Sequence, residues 1–157
     1  MSRQHIDVTV RSAAHPARVY ALLIDGATWP TWSPLGSFEL EQPGPTEPEG
    51  VGAIRVFRTG RVTSRERVVE RVPDRRLSYE LVSGLPLRDY RADVDLTPDA
   101  AGGTTIRWHS SFVAKVPGTG WLYRRVLDRF ISDCAHGLAA YAADPTKVWP
   151  RTGVRLG

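Results

Sequence analysis

Cysteine, methionine and lysine are all scarce in this 157-residue chain. Cys134 is the only cysteine, so no disulfide can close within the chain and no paired-cysteine metal site can form. A reducing cytoplasm suits that usage. No apolar run approaches the roughly 20 residues that a membrane helix needs. Met1 to Val10 alternates in polarity and has no signal-peptide core. The expectation is a cytoplasmic protein without an integral membrane segment. Also missing are H-E-x-x-H, a Walker-type loop, G-x-G-x-x-G and any acidic cluster with ligand spacing. No metal and no cofactor is therefore expected. Of 21 basic residues only Lys115 and Lys147 are lysine, which leaves 19 arginines. Against 17 acids the net charge is +4. A basic balance raises nucleic acid as a partner. Here, however, the acids are interspersed with the arginines, which describes a solvated face, and no nucleic acid is expected. Arg55, Arg58, Arg61, Arg65, Arg67, Arg71, Arg75 and Arg76 are placed on that face, with Glu66, Glu70 and Asp74 among them.

What is present is a strong two-residue period. Ile6, Val8 and Val10 alternate with Asp7 and Thr9, as in a half-buried strand. Pro16 can open a helix, because its missing N–H would be unpaired there. Ala17, Val19, Tyr20, Leu23 and Ile24 follow at helical spacing up to Gly26. Trp29 to Pro34 reads as a second short helix or turn, since its prolines forbid a long one. Residues 43–50 hold three prolines and two glycines and form a loop. Six strand-like stretches then run from Phe38 to Phe112, most of them joined by short turns such as Thr59-Gly60 and Ser83-Gly84-Leu85-Pro86. Such turns favour antiparallel hairpins. From Thr119 to Ala143 the period changes. Leu122, Val126, Phe130, Cys134, Leu138 and Tyr141 recur every three or four residues, widened by Leu127 and Ile131, as in an amphipathic helix of about six turns. Asp144-Pro145 stops it. One domain over 1–146 and a mobile tail over 147–157 are expected.

A sheet with one apolar face must cover that face, and the last helix is the only element large enough. The fold class is therefore α+β. A seven-stranded, curved antiparallel sheet wraps a long C-terminal helix, with two short helices between strands one and two.

This order, together with particular motifs, resembles the SRPBCC superfamily over residues 3 to 143. That superfamily includes START and birch-pollen-allergen-like helix-grip proteins, and small bacterial members of the polyketide cyclase/dehydrase-like type look most similar. The motifs are Pro16 to Leu23, the W-P-T-W-S-P stretch at 29–34, Arg65-Glu66-Arg67-Val68, Arg76-Leu77-Ser78-Tyr79, Asp89-Tyr90-Arg91 and Gly103-Thr104-Thr105 running into Trp108. The resemblance implies a cavity between sheet and helix. None of these motifs is a catalytic signature, and fold does not fix function.

Strand parity sorts the residues that face such a cavity, because a one-residue slip turns the whole set outward. The inward set is Tyr79, Leu81, Tyr90, Ala92, Val94, Ile106, Trp108, Ser110 and Phe112. The Val68 and Val72 parity brings Glu66 and Ser64 inward as well. The opposite parity would bury Arg65, Arg67 and Arg71 at high cost. Glu66 is the best catalytic candidate. A carboxyl in an apolar pocket has a raised pKa and can act as general acid or base, although a structural Glu bonded to Arg or to a hydroxyl fits the same sequence. Tyr79, Tyr90 and Ser110 could orient a ligand oxygen, and Trp32, Trp108 and Phe112 could pack on a flat one. Val126, Phe130 and Cys134 on the helix stripe could line a lipid tunnel. For each of these the ordinary alternative is core packing. Cys134 has no histidine on its helix face and reads as inert. His136 follows Ser132 and Asp133 at a spacing that imitates a triad, on a solvated face.

The first reading is a domain that binds a small hydrophobic molecule, such as a lipid, polyketide or aromatic metabolite. The alternative is a polyketide cyclase, aromatase or dehydratase using the same cavity. A regulatory module that senses a ligand is a third. The residues leave open whether the protein is an enzyme, and whether it is a monomer or a homodimer.

Overall fold

The computed structural model describes residues 2–147. The tail expected to be mobile lies, beyond Lys147, outside the described residues. Strand β1 (Gln4–Ser12) leads into α1 (Pro16–Ile24), a single 3-10 turn (Gly26–Thr28) and the one-turn helix α2 (Trp29–Trp32). A run of six strands follows: β2 (Ser37–Gln42), β3 (Ile54–Thr59), β4 (Val62–Val72), β5 (Arg76–Ser83), β6 (Leu87–Pro98) and β7 (Thr104–Ala114). Helix α3 (Gly120–Ala143) completes the described chain. The sheet order is β1-β7-β6-β5-β4-β3-β2, antiparallel throughout. The six later strands are therefore a meander, and β1 closes on the far edge beside β7. This is the helix-grip architecture expected from the sequence.

The alternation did its work along β6 and β7. Tyr90, Ala92, Val94 and Leu96 are buried on one face with Ile106, Trp108 and Phe112. The other face is polar and ion-paired. Arg107 meets Asp7 at 2.7 Å, Arg76 meets Asp95 at 2.6 Å and Arg67 meets Glu80 at 3.0 Å. His109 also sits there, with Nε2 2.7 Å from Asp95.

Three expectations fail, each for a physical reason. First, β4 does not keep one parity. Val68 pairs with Tyr79 but Glu70 pairs with Ser78, so Val69 is an extra residue in a β-bulge. Glu66 and Val68 face inward on one side of the bulge. On the other side Arg71 turns inward and Val72 ends up 40% exposed. Arg71 is not stranded there: its Nε donates to Tyr20 Oη at 3.1 Å and its Nη1 to Glu49 O at 3.1 Å.

Second, Arg55 is not on the solvated face. It is 0% exposed, between the buried Ala53 and Phe57 on the inner side of β3.

Third, the buried stripe of α3 is rotated from the one expected. Leu122 and Val126 are 44% and 56% exposed, and Tyr141 is only partly buried. The buried residues are Leu127, Ile131, Cys134, Ala135, Leu138, Ala139 and Ala142. Small residues decide this rotation, because they let backbones approach. Ser12 Oγ donates to Ala139 O at 2.8 Å across the β1–α3 contact. At Gly137 a Cβ atom would stand 1.9 Å from Trp32 O, so only glycine lets α3 seat against α2.

Candidate functional site

A cavity of about 250 Å³ remains between the inner face of β3–β6, α2 and the first half of α3. Its wall is mostly apolar: Trp29, Leu35, Phe57, Val62, Leu81, Leu85, Val126, Leu127 and Phe130. Thr59, Ser64, Glu66, Tyr79 and Tyr90 supply the polar atoms. Val126 is therefore at the rim, half in solvent, rather than deep in a tunnel.

Two irregularities aim the polar group. Arg65 pairs with Ser83 and Glu66 with Leu81, so Val82 is extra and Leu81 is held inward opposite Glu66. On β6 the pairing slips between Arg88 and Arg91, where Asp89 adopts a left-handed φ of 52°. That slip lets both Leu87 and Tyr90 be buried.

Glu66 stands on the inner face between Arg55 of β3 and Leu81 of β5. The residue is half-buried, but its Oε1 is out of reach of solvent and finds no hydrogen-bond partner among the described residues. Burial pushes the carboxyl up from 4.5 to about 7, with the positive charge of Arg55 opposing part of the rise. Arg55 does not form an ion pair with it. The Arg55 Nη1 donates to Leu23 O at 3.2 Å and to Glu49 Oε1 at 3.4 Å, and its Nε and Nη2 are buried without partners among the described residues. The guanidinium lies 4.9 Å above the Trp29 ring and 5.3 Å from the Phe57 ring centre. The proline- and glycine-rich loop thus has a definite task. It carries Glu49 to the buried arginine, where the same carboxylate also accepts from Gly26 N at 2.8 Å.

Tyr79 Oη accepts from Trp108 Nε1 at 3.2 Å. Burial, reinforced by the neighbouring Tyr90 and Glu66, holds the Tyr79 phenol well above its ordinary value. Burial and Glu66 do the same to Tyr90. Both hydroxyls therefore keep their protons at neutral pH. Among the described residues of the cavity wall, Glu66 is the group that titrates near pH 7. The site can give or take one proton at one carboxyl, beside two fixed phenol donors.

The sequence-derived candidates divide into two sets. Glu66, Tyr79, Tyr90, Val126 and Phe130 reach the cavity wall. Trp32, Trp108, Ser110, Phe112 and Cys134 are buried but do not line it. Trp32 packs on Trp29 at 4.8 Å and Trp108 meets Trp29 edge-on at 5.6 Å. Phe112 stacks beneath Tyr90 at 6.1 Å. Ser110 is buried in the sheet beside the Tyr90 hydroxyl. Cys134 is wholly buried, and burial raises its thiol far above neutrality. His136 bonds within its own helix, with Nδ1 2.8 Å from Ser132 O and 3.4 Å from Ser132 Oγ, on the exposed side of α3.

Sequence reasoning missed Trp29, which is the hub of the aromatic cluster, lines the cavity and carries the Arg55 guanidinium against its ring. The three-residue spacing of Trp29 and Trp32 put both on one side of a helical turn and was the available signal. Phe57 and Arg55 were also missed. The shared parity of Ala53, Arg55 and Phe57 would have found them.

This combination of sheet, helix and interior cavity defines a helix-grip protein of the SRPBCC superfamily. Within it, the chain belongs to the family described as polyketide cyclase / dehydrase and lipid transport, whose model matches residues 3–143. Solved structures agree on the fold. The protein XoxI from Bacillus cereus superposes with a TM-score of 0.74 at 19% identity, covering 92% of this chain and 99% of that one. A START superfamily protein from Mycobacterium smegmatis gives 0.74 at 13% identity, over 87% and 94% of the two chains. The protein Ara h 8.0201 gives 0.68 at 15%, over 90% and 98%. No curated protein matches the sequence closely.

Proposed function

We propose that this chain binds a small, largely apolar molecule in the cavity, with its polar end set by Glu66, Tyr79 and Tyr90. One observation carries the reading: an apolar-walled cavity contains a buried carboxylate oxygen with no partner among the described residues. A buried polar atom left unpaired costs free energy that a ligand can recover. An aromatic group buries about 150–250 Å², a gross gain of about 4–6 kcal/mol at about 25 cal/mol per Å². Association costs are of the same order. Apolar burial alone therefore gives weak binding, and the polar contact decides affinity. Behind the wall, Trp32, Trp108, Phe112 and Cys134 hold the lining in place, and Ser110 provides a further hydroxyl in the sheet beneath. Mass spectrometry of protein purified gently under native conditions tests the reading. A co-purifying hydrophobic molecule supports it. A cavity that takes up neither cellular nor added apolar ligands refutes it.

The second reading is catalysis of the cyclase or dehydratase type, favoured by one specific feature. A carboxyl titrating at about 7 is suited to general acid–base work at neutral pH. Under that reading Glu66→Gln spares ligand binding and abolishes turnover of a poly-keto substrate. Turnover that survives the change excludes Glu66 as the acid or base.

A further inference from the structure

The charge layout of the cavity restricts what the buried end of the ligand can be. We infer that the ligand presents a neutral hydroxyl, phenolic or enolic, to Glu66 Oε1, and that the cavity selects against carboxylates. This deepens the binding reading above and rests on it.

The wall offers Glu66 and two tyrosine hydroxyls but no cation. The nearest positive group, Arg55, is not a wall residue. Its guanidinium lies against the Trp29 and Phe57 rings, and its Nη1 is committed to Leu23 O and Glu49, while Nε and Nη2 are buried without partners among the described residues. A ligand carboxylate would be desolvated beside a second carboxyl with no cation on the wall to pair with. A ligand ammonium would find an anion, but would lose its hydration in an apolar wall. A ketone can only accept, so it is matched only while Glu66 is protonated. A hydroxyl both donates and accepts, so it satisfies Oε1 whichever form the carboxyl takes. Tyr79 and Tyr90, which keep their protons, can complete its hydrogen bonding as donors.

Calorimetric titration at pH 7.5 with four probes of one shape tests this: propylbenzene, para-propylphenol, para-propylbenzoate and para-propylbenzylamine. The expected order places the phenol at least about tenfold tighter than the hydrocarbon, since hydrogen bonds to charged groups are among the stronger ones. The benzoate and the amine bind more weakly than the phenol by at least the same factor. In Glu66→Leu, propylbenzene still binds and the phenol's advantage shrinks to about twofold or less. Equal binding of phenol and hydrocarbon overturns the inference and leaves the cavity reading intact. So does benzoate or amine binding as tight as phenol, or a phenol advantage that survives in Glu66→Leu. Failure of all four probes to bind removes both readings together.

Discussion

Replacing Glu66 with Gln deletes one titration from the middle of the cavity, and its size can be worked out in advance. In the unfolded chain the carboxyl has its ordinary value of 4.5, while in the folded protein burial holds it at about 7. Below pH 4.5 both states are protonated and the group has no effect on stability. Between 4.5 and about 7 the unfolded chain releases a proton that the folded chain keeps, so stability falls as pH rises. Above about 7 both states are ionised and the loss is complete. At 1.36 kcal/mol per tenfold difference, the full loss is about 3 kcal/mol. Gln at this position carries no such dependence, whatever constant offset its unpaired amide introduces. Urea unfolding followed by tryptophan fluorescence, at closely spaced pH values from 4.5 to 8, should show the wild type losing about 3 kcal/mol relative to Glu66→Gln. Ion pairs on the outer face, such as Arg107–Asp7, titrate equally in both proteins and cancel. A difference that stays flat within about 0.5 kcal/mol across this range would refute the assignment. It would mean that the folded carboxyl ionises as easily as the unfolded one, and hence that Arg55 compensates it fully.

Three further outcomes follow from the geometry. Arg55→Met should raise the Glu66 pKa above about 7, because the opposing positive charge is gone, and should destabilise the fold by about 2 kcal/mol by removing one of the two donors from each of Glu49 and Leu23 O, which keep Gly26 N and Trp29 Nε1; carbonyl-carbon NMR of Glu66 and urea melts read the two effects. Gly137→Ala, which helix propensity alone would make stabilising by about 1 kcal/mol, should instead lower the melting temperature by about 5 °C or more, since the new Cβ meets Trp32 O. Cys134 should resist iodoacetamide at pH 7.5 in the native protein and react promptly in urea, as its buried thiol stays protonated.

The fold was legible because two strong periods and their turn residues agree at nearly every element. Strand parity works where a strand is regular, as along β7, where Ile106, Trp108 and Phe112 all turn inward. It fails at the Val69 bulge, because an extra residue flips every later side chain without leaving a mark in the hydrophobic pattern. That is why Arg71 and Val72 exchange places. The helix stripe was misjudged for a different reason. Large apolar residues dominate the periodic pattern, whereas the closest approaches of α3 to its neighbours are at Gly137, against Trp32 O, and at Ala139, whose carbonyl accepts from Ser12 Oγ. Burial of Arg55 could not be read from charge statistics, since it depends on a carboxylate, a carbonyl and two aromatic rings arriving from three separate segments. Glu66 was legible because parity and the cost of burying its arginine neighbours gave the same answer. Its lack of a partner was not, because hydrogen-bond closure is a property of the assembled cavity.

The closing edge of the sheet also sets an order of events during synthesis. Every strand from β2 to β7 finds a partner next to it in sequence, but β1 pairs only with β7 and packs beneath α3. Thr104 Oγ1, for example, donates to Ala14 O from 90 residues further along. A ribosome making this chain thus releases β1 long before anything exists for it to join. The meander can form hairpin by hairpin as it emerges, while β1 waits, exposed and unpaired, until β7 is out. Its alternating, charge-bearing sequence (Asp7 and Arg11 on the outer face) suits a strand that must stay soluble through that interval.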